Sequence, residues 1–137
     1  MVDANLDVSQ QCLDQFNRLK MDKSLFFVSF RIENQTTVVV DHVQEKGVSY
    51  DSLIHHIPQN EPRFVVVDFD FTNNDGLVLS KIIFIHWCPD NARVNHKMVY
   101  ASTKENLKKR LVGIFKEVQA SIASELTHES ISSSIRL

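Results

Sequence analysis

Phe64-Val65-Val66-Val67-Asp68-Phe69 and, past the turn signal Asn73-Asn74-Asp75-Gly76, Lys81-Ile82-Ile83-Phe84-Ile85-His86-Trp87 are apolar at nearly every position. A strand with one wet face alternates polar and apolar residues, whereas unbroken apolarity belongs to a strand covered on both faces. The covers are legible on either side. Residues 9–21 have Ser9 as a cap and Cys12, Leu13, Phe16 and Leu19 on one helical face. Leu53, Ile54 and Ile57 keep helical spacing over 50–57, and Pro58 stops that segment. A third helical stretch spans 95–112. Leu25 to Ile32 and Thr37 to Val40 flank the turn Glu33-Asn34-Gln35, which predicts a hairpin within 24–43. The sum is an α/β (α+β) architecture, an open mixed sheet sandwiched by helices. No internal repeat is visible, and residues 1–137 read as one domain.

Composition narrows the function classes. The chain has 137 residues, of which 43% are hydrophobic and 23% charged, with only three Gly and three Pro. Those values are ordinary for a globular domain with one core. A formal charge of −2 argues against a dedicated nucleic-acid binder. The charge is unevenly spread. Residues 89–120 hold Arg93, Lys97, Lys104, Lys108, Lys109, Arg110 and Lys116 against Asp90, Glu105 and Glu117, while the remainder is net acidic. One basic face on an acidic domain fits a protein partner or an anionic lipid head group. Cys12 and Cys88 are the only cysteines and form no metal or disulfide pattern. Met1-Val2-Asp3-Ala4-Asn5 opens no signal peptide, and no apolar run of about 20 residues is present. The expectation is a cytoplasmic protein.

The basic stretch has an internal logic. The fourth strand ends at Trp87, Pro89 breaks it, and a helix follows with Lys97, Lys104 and Lys108 at i, i+7 and i+11. At about 3.6 residues per turn these three share one face, expected here to be an exposed cationic stripe. Met98 adds an adaptable apolar side chain. Ser102-Thr103-Lys104-Glu105 fits a capping box, as if a second helical segment began there. Leu107, Leu111, Ile114 and Phe115 continue a buried stripe. Gly113 can end the helix and leave Glu117 to Ala120 as an edge strand, or periodicity can carry the helix to Ile122. Ser130 to Leu137 reads as a short helix or a frayed tail. His55-His56 point apart on a helix, and His42, His86, His96 and His128 have no partner at ligand spacing, so metal binding is not expected. Asp68 and Asp70 share one strand face, as an acidic edge commonly does. No phosphate-binding glycine loop, nucleophile elbow or Cys/His dyad appears, so no catalytic role and no cofactor are expected.

Trp87-Cys88-Pro89-Asp90-Asn91-Ala92-Arg93-Val94, followed by Lys97-Met98-Val99-Tyr100-Ala101-Ser102-Thr103-Lys104, resembles the signature of the ADF/cofilin family of actin-binding proteins. Phe16-Asn17-Arg18-Leu19-Lys20, Ser49-Tyr50-Asp51 and Pro62-Arg63-Phe64 leading into Asp68-Phe69-Asp70-Phe71 extend the likeness over most of the chain. The resemblance implies a single ADF-homology domain, with a five- or six-stranded mixed sheet, a flexible N-terminus over 1–8 and a long helix ending near Gly113. It implies a monomeric protein of the actin cytoskeleton that binds G-actin, preferring the ADP form. It also implies binding to F-actin sides, severing and depolymerisation. The family inserts its long helix into the actin cleft between subdomains one and three, helped by the N-terminus. By position, Val2, Asp3, Ala4, Asn5, Lys97, Met98, Lys104, Lys108 and Lys109 are the monomer-binding residues implied. Lys81 and Arg136 are implied at the filament side. Phosphoinositide head groups would meet Lys97, Lys104, Lys108 and Lys109.

The departures carry expectations of their own. Leu79 stands where the family has a basic residue, Asn95 replaces another cation, and Ser132-Ser133-Ser134 replaces a charged C-terminal segment. Filament-side binding and severing should therefore be weakened. Val2-Asp3-Ala4 stands where many members carry a phosphorylated Ser, and Ser9 lies too far along the chain to replace it. Two rival readings remain. One is a regulator of the branch-nucleating actin-related complex resembling glia maturation factor, supported by Pro62-Arg63-Phe64 and Asn74-Asp75-Gly76. The other is a peripheral phosphoinositide-binding module using the same basic face.

Overall fold

Strand pairing runs β1-β3-β2-β4-β5-β6 in one six-stranded mixed sheet. In this computed structural model, which describes residues 7–135, the strands are β1 (Asp7–Val8), β2 (Leu25–Glu33), β3 (Thr37–Glu45), β4 (Arg63–Thr72), β5 (Val78–Trp87) and β6 (Lys116–Ala120). The helices are α1 (Gln10–Asn17), α2 (Ser52–His55), α3 (Val94–Arg110) and α4 (His128–Ile135). α1 continues into one π-helical stretch, Arg18–Asp22, and a 3₁₀ turn, Ala123–Leu126, precedes α4. The three central pairings, β3–β2, β2–β4 and β4–β5, are antiparallel, while the outer strands β1 and β6 pair in parallel.

The apolar runs of β4 and β5 are buried on both sides. Phe64, Val66 and Phe84 join Phe16, Leu19, Tyr100 and Leu107 beneath α1 and α3. Val65, Val67, Ile83 and Ile85 join Leu53, Leu126, Ile131 and Ile135 beneath α2 and α4. Each strand thus feeds two cores with alternate residues, the pleat period of two acting twice. The hairpin β2–β3 turns through the three residues Asn34, Gln35 and Thr36; Asn34 and Gln35 are at positive φ (53° and 59°), and the Thr36 amide closes the turn onto the Glu33 carbonyl at 3.0 Å.

Several sequence expectations change here. Asp7 and Val8, expected inside a flexible segment, pair with Thr37 and Val38. Of the two readings left open for the tail, the helix occurs through Ile135, because Ile131 and Ile135 reach the second core. The capping-box reading of Ser102 to Glu105 is corrected. α3 is continuous, and both Ser102 Oγ (3.0 Å) and Thr103 Oγ1 (2.7 Å) donate back to the Val99 carbonyl. Of the two endings left open for the long helix, the short one occurs. Gly113, at φ 115°, reverses the chain into β6. Lys20 Nζ donates to the Val112 carbonyl at 2.8 Å and closes that end.

His86 is a buried polar residue on β5 whose two ring nitrogens have no hydrogen-bond partner among the described residues. Its ring tilts against Phe64, 5.4 Å between centroids. Burial, reinforced by the Lys104 charge, pushes its pKa down to about 4. The unfolded chain takes up this proton near the ordinary value of 6.5, while the folded one resists until about 4. The folded state is therefore disfavoured progressively as pH falls through that window. His86→Phe should flatten the loss of stability between pH 6.5 and 4 by on the order of 2–3 kcal/mol, read from urea melts of both proteins across that range. Parallel pH profiles would show that His86 does not titrate this way.

Candidate functional site

The segment from Trp87 into α3 is built as a rigid ledge. Trp87 Nε1 donates to the Pro58 carbonyl at 2.7 Å, and the Cys88 amide donates to Ala120 at 2.9 Å. The Ala92 amide closes a turn onto Pro89 at 3.0 Å, after which α3 begins. The inner face of α3 carries Tyr100, Thr103 and Leu107. Tyr100 Oη accepts the Ile32 amide proton at 2.9 Å, tying the helix to the sheet. Lys108, Lys109 and Arg110 fill the last turn, where cations complement the partial negative charge of the helix end.

The outer face differs from the sequence expectation. Lys97, Lys104 and Lys108 do share one flank, but that flank leans on the protein itself. Lys104 Nζ lies 2.9 Å from Glu117 Oε2, and Lys108 Nζ lies 2.5 Å from Glu117 Oε1. The side chains of Lys104 and Lys108 are only 20% and 26% exposed. Lys97 Nζ donates to the Asp90 carbonyl at 2.7 Å. Lys104 and Lys108 therefore clamp the Glu117 carboxylate, Lys108 also lies 3.8 Å from Glu105 Oε1, and the row is not freely solvated. What faces outward instead is apolar at the start of α3. Val94 is 71% and Met98 55% exposed, with exposed Ala101 one turn on. Arg93, Lys109, Arg110 and Lys116 are exposed and form no ion pair among the described residues.

Glu117 is the residue that sequence reading missed. It sits on β6, and the reversal at Gly113 runs β6 back alongside the C-terminal half of α3. The spacing of Lys104 and Lys108 by one turn was the available signal, because it lets one carboxylate bridge both. Burial alone would raise the Glu117 carboxyl. Its bonds to Lys104 and Lys108 outweigh that and hold it below the usual carboxylate range. The same contact raises the Lys108 ammonium, chiefly through the hydrogen bond to Glu117.

The other expected site residues scatter. Lys81 is half-buried and lies 5.2 Å from the Phe115 ring centroid, a cation–π contact. Leu79 packs against the second core, and Leu77 and Val78 leave the β4–β5 hairpin exposed and apolar. Val2, Asp3, Ala4, Asn5 and Arg136 lie outside the described residues. His42 and His56 do find each other, with rings stacked at 4.2 Å. Among the described residues no helix is long and apolar enough to cross a membrane.

The chain and its fold match known proteins. The family model described as cofilin/tropomyosin-type actin-binding protein matches residues 5–136. The chain belongs to the cofilin/ADF family. It is 41% identical to actin-depolymerizing factor 12 of Arabidopsis thaliana, over 95% of this chain and 94% of that protein. Actophorin of Acanthamoeba castellanii is 38% identical over 94% of each. Among solved structures, the cofilin from Streptomyces griseoflavus superposes with a TM-score of 0.87 at 29% identity, covering 96% of this chain and 97% of that one. Glia maturation factor from Caenorhabditis elegans, at 14% identity and a TM-score of 0.76 over 93% and 94% of the two chains, shares the fold alone. In this cofilin/ADF protein the stretch from Trp87 to Lys104 spans the ledge and both faces of the first turns of α3.

Glu117→Gln removes the bridging charge and should lower stability at pH 7 by about 1 kcal/mol, the scale of partly exposed ion pairs and charged hydrogen bonds. The Glu117 contribution is present above the ordinary carboxyl pKa of 4.5 and is lost as pH falls through its lower folded value. The gap between the two urea melts should therefore close in acid. Equal stability of the two proteins at pH 7 would rule out the clamp.

Proposed function

We propose that this chain binds actin monomers, with preference for the ADP form, through the outer face of α3 and the loop before it, and that it promotes filament depolymerisation. The observation that carries this reading is the exposed Val94–Met98 row on a helix fixed to the sheet by Tyr100, flanked by unpaired Arg93, Lys109 and Arg110. Apolar side chains at the centre of an interface supply most of the binding free energy, while flanking cations set register and association rate. Lys97, Lys104 and Lys108 join as a pre-ordered flank, restrained by Asp90 and Glu117, so their ordering on binding costs less than for free lysines. Val2 to Asn5 are proposed as an accessory contact on family grounds. The family description and the name of actin-depolymerizing factor 12 support an actin partner.

Filament-side binding is proposed to be weak. Leu79 brings no charge to that region, and Lys81 is engaged with Phe115. Phosphoinositide head groups are proposed to compete for Lys109 and the Lys97, Lys104 and Lys108 flank, since charge-assisted phosphate contacts recruit such basic edges.

Val94→Asp combined with Met98→Asp should weaken monomer binding at least about tenfold, measured by the fluorescence of labelled ADP-actin. The thermal melt should hardly move, because both residues are exposed and surface changes typically stay within about 0.5 kcal/mol. Unchanged affinity would refute this face as the contact. Separately, Leu79→Lys should raise the fraction of protein that pellets with filaments; an unaltered pellet would show that the missing charge is not what limits filament binding.

A further inference from the structure

A second site stands apart from α3, at a notch in the sheet. Pairing between β2 and β4 stops at Phe27↔Val67, although β4 runs on to Thr72. A cavity of about 300 Å³ opens beside this unpaired half of β4. Its walls are aromatic, with Phe26, Tyr50, Phe69 and His128 around it. These rings are held in place. Tyr50 meets Phe26, Phe69 and His128 edge-on at 5.7, 5.7 and 5.3 Å, and its hydroxyl donates to the Leu126 carbonyl at 2.8 Å. His128 stacks on Phe69 at 4.6 Å and bonds through Nε2 to the Asp70 carbonyl at 2.7 Å. A carbonyl only accepts, so Nε2 carries the proton.

Lys46 and Asp68 complete the lining. The Asp68 side chain is 2% exposed, and its charge is met by Lys46 Nζ, 2.9 Å from Oδ2. Both carboxylate oxygens are buried and neither has a hydrogen-bond partner among the described residues, the Lys46 contact at Oδ2 being an ion pair. A buried carboxylate oxygen left unbonded is costly, and a single ammonium cannot serve both oxygens of the group in line. A guanidinium can. Its planar fork matches both carboxylate oxygens, and its faces stack on aromatic rings. Lys46 is itself replaceable. Its amide is anchored to the Ser24 carbonyl at 3.0 Å, but its side chain is partly exposed and need only rotate to vacate the carboxylate.

The geometry points to a guanidinium-binding pocket at this notch, with Asp68 as the two-pronged acceptor and Lys46 as an internal competitor. The guest is an alkylguanidinium, either a free guanidine or an arginine side chain of a partner. Lys46 makes the pocket selective, because only a cation that engages both oxygens gains over the resident one-oxygen pair.

The test uses the full chain, ¹³C-labelled on its aromatic residues, titrated at constant ionic strength with methylguanidinium, capped arginine and methylammonium. Methylguanidinium should give saturable shifts at Phe26, Tyr50 and His128. Lys46→Gln should tighten binding about tenfold if Lys46 holds the carboxylate about 90% of the time, and Asp68→Asn should abolish it. Lys46→Arg supplies the guanidinium internally, so it should block the titration and raise the melting temperature; this arm stands even if Asp68→Asn fails to fold. Capped arginine binding alongside methylguanidinium assigns the pocket to a partner's side chain. Methylguanidinium binding alone assigns it to a free guanidine. No saturable shift with Lys46→Gln, or equal affinity for methylammonium, would overturn the proposal.

Discussion

Val65, Val67, Ile83 and Ile85 face one helical layer while Phe64, Val66 and Phe84 face the other, and this two-sided burial governs the rest of the molecule. With no wet face on β4 and β5, both layers must be present for the sheet to exist. α3 is therefore not an appendage that a partner might order on contact. It is one of the two lids of the core, pinned through Tyr100 and Leu107. A helix so fixed presents its outer side chains at constant spacing, which lowers the conformational cost of recognition.

Electrostatics refine what that helix offers. A sequence count gives a strongly basic segment, but Glu117 neutralises part of it from the adjoining strand. The positive charge left free is displaced toward Arg93 at one end of α3 and toward Lys109, Arg110 and Lys116 at the other. The first turns of the outer face are apolar, with exposed Glu105 following them. An acidic rim around an apolar cleft is the complementary shape, and actin is the partner that family membership supplies.

Much of the fold was legible because double-sided strands and amphipathic helices leave strong local periodicity. β4, β5 and the hairpin stand close to where pattern placed them. Failures came where a local signal competed with tertiary geometry. Ser102 and Thr103 look like a cap until the Val99 carbonyl is seen to take both hydroxyls. Asp7 and Val8 carry too short a pattern to announce a strand, since their pairing depends on the β3 edge. The end of α3 was ambiguous because Val118 and Ile122 preserve helical spacing, and the positive φ of Gly113 decided it. In the site, the identity of the cations was visible but their orientation was not. Orientation depended on Glu117, distant in pattern and adjacent only after the chain reverses.

The two parallel outer strands have a consequence for solution behaviour. β3 has nine residues, yet among the described residues β1 covers it only at Thr37 and Val38. The remainder would be a template for strand addition by another molecule. Asp41 interrupts that border, since the register of β2 against β3 slips between Ser29 and Phe30. Its carboxylate is drawn toward Arg31 at 3.6 Å and Arg63 at 3.1 Å. A slipped, charge-bearing margin is a poor template for a continuous ladder with another strand.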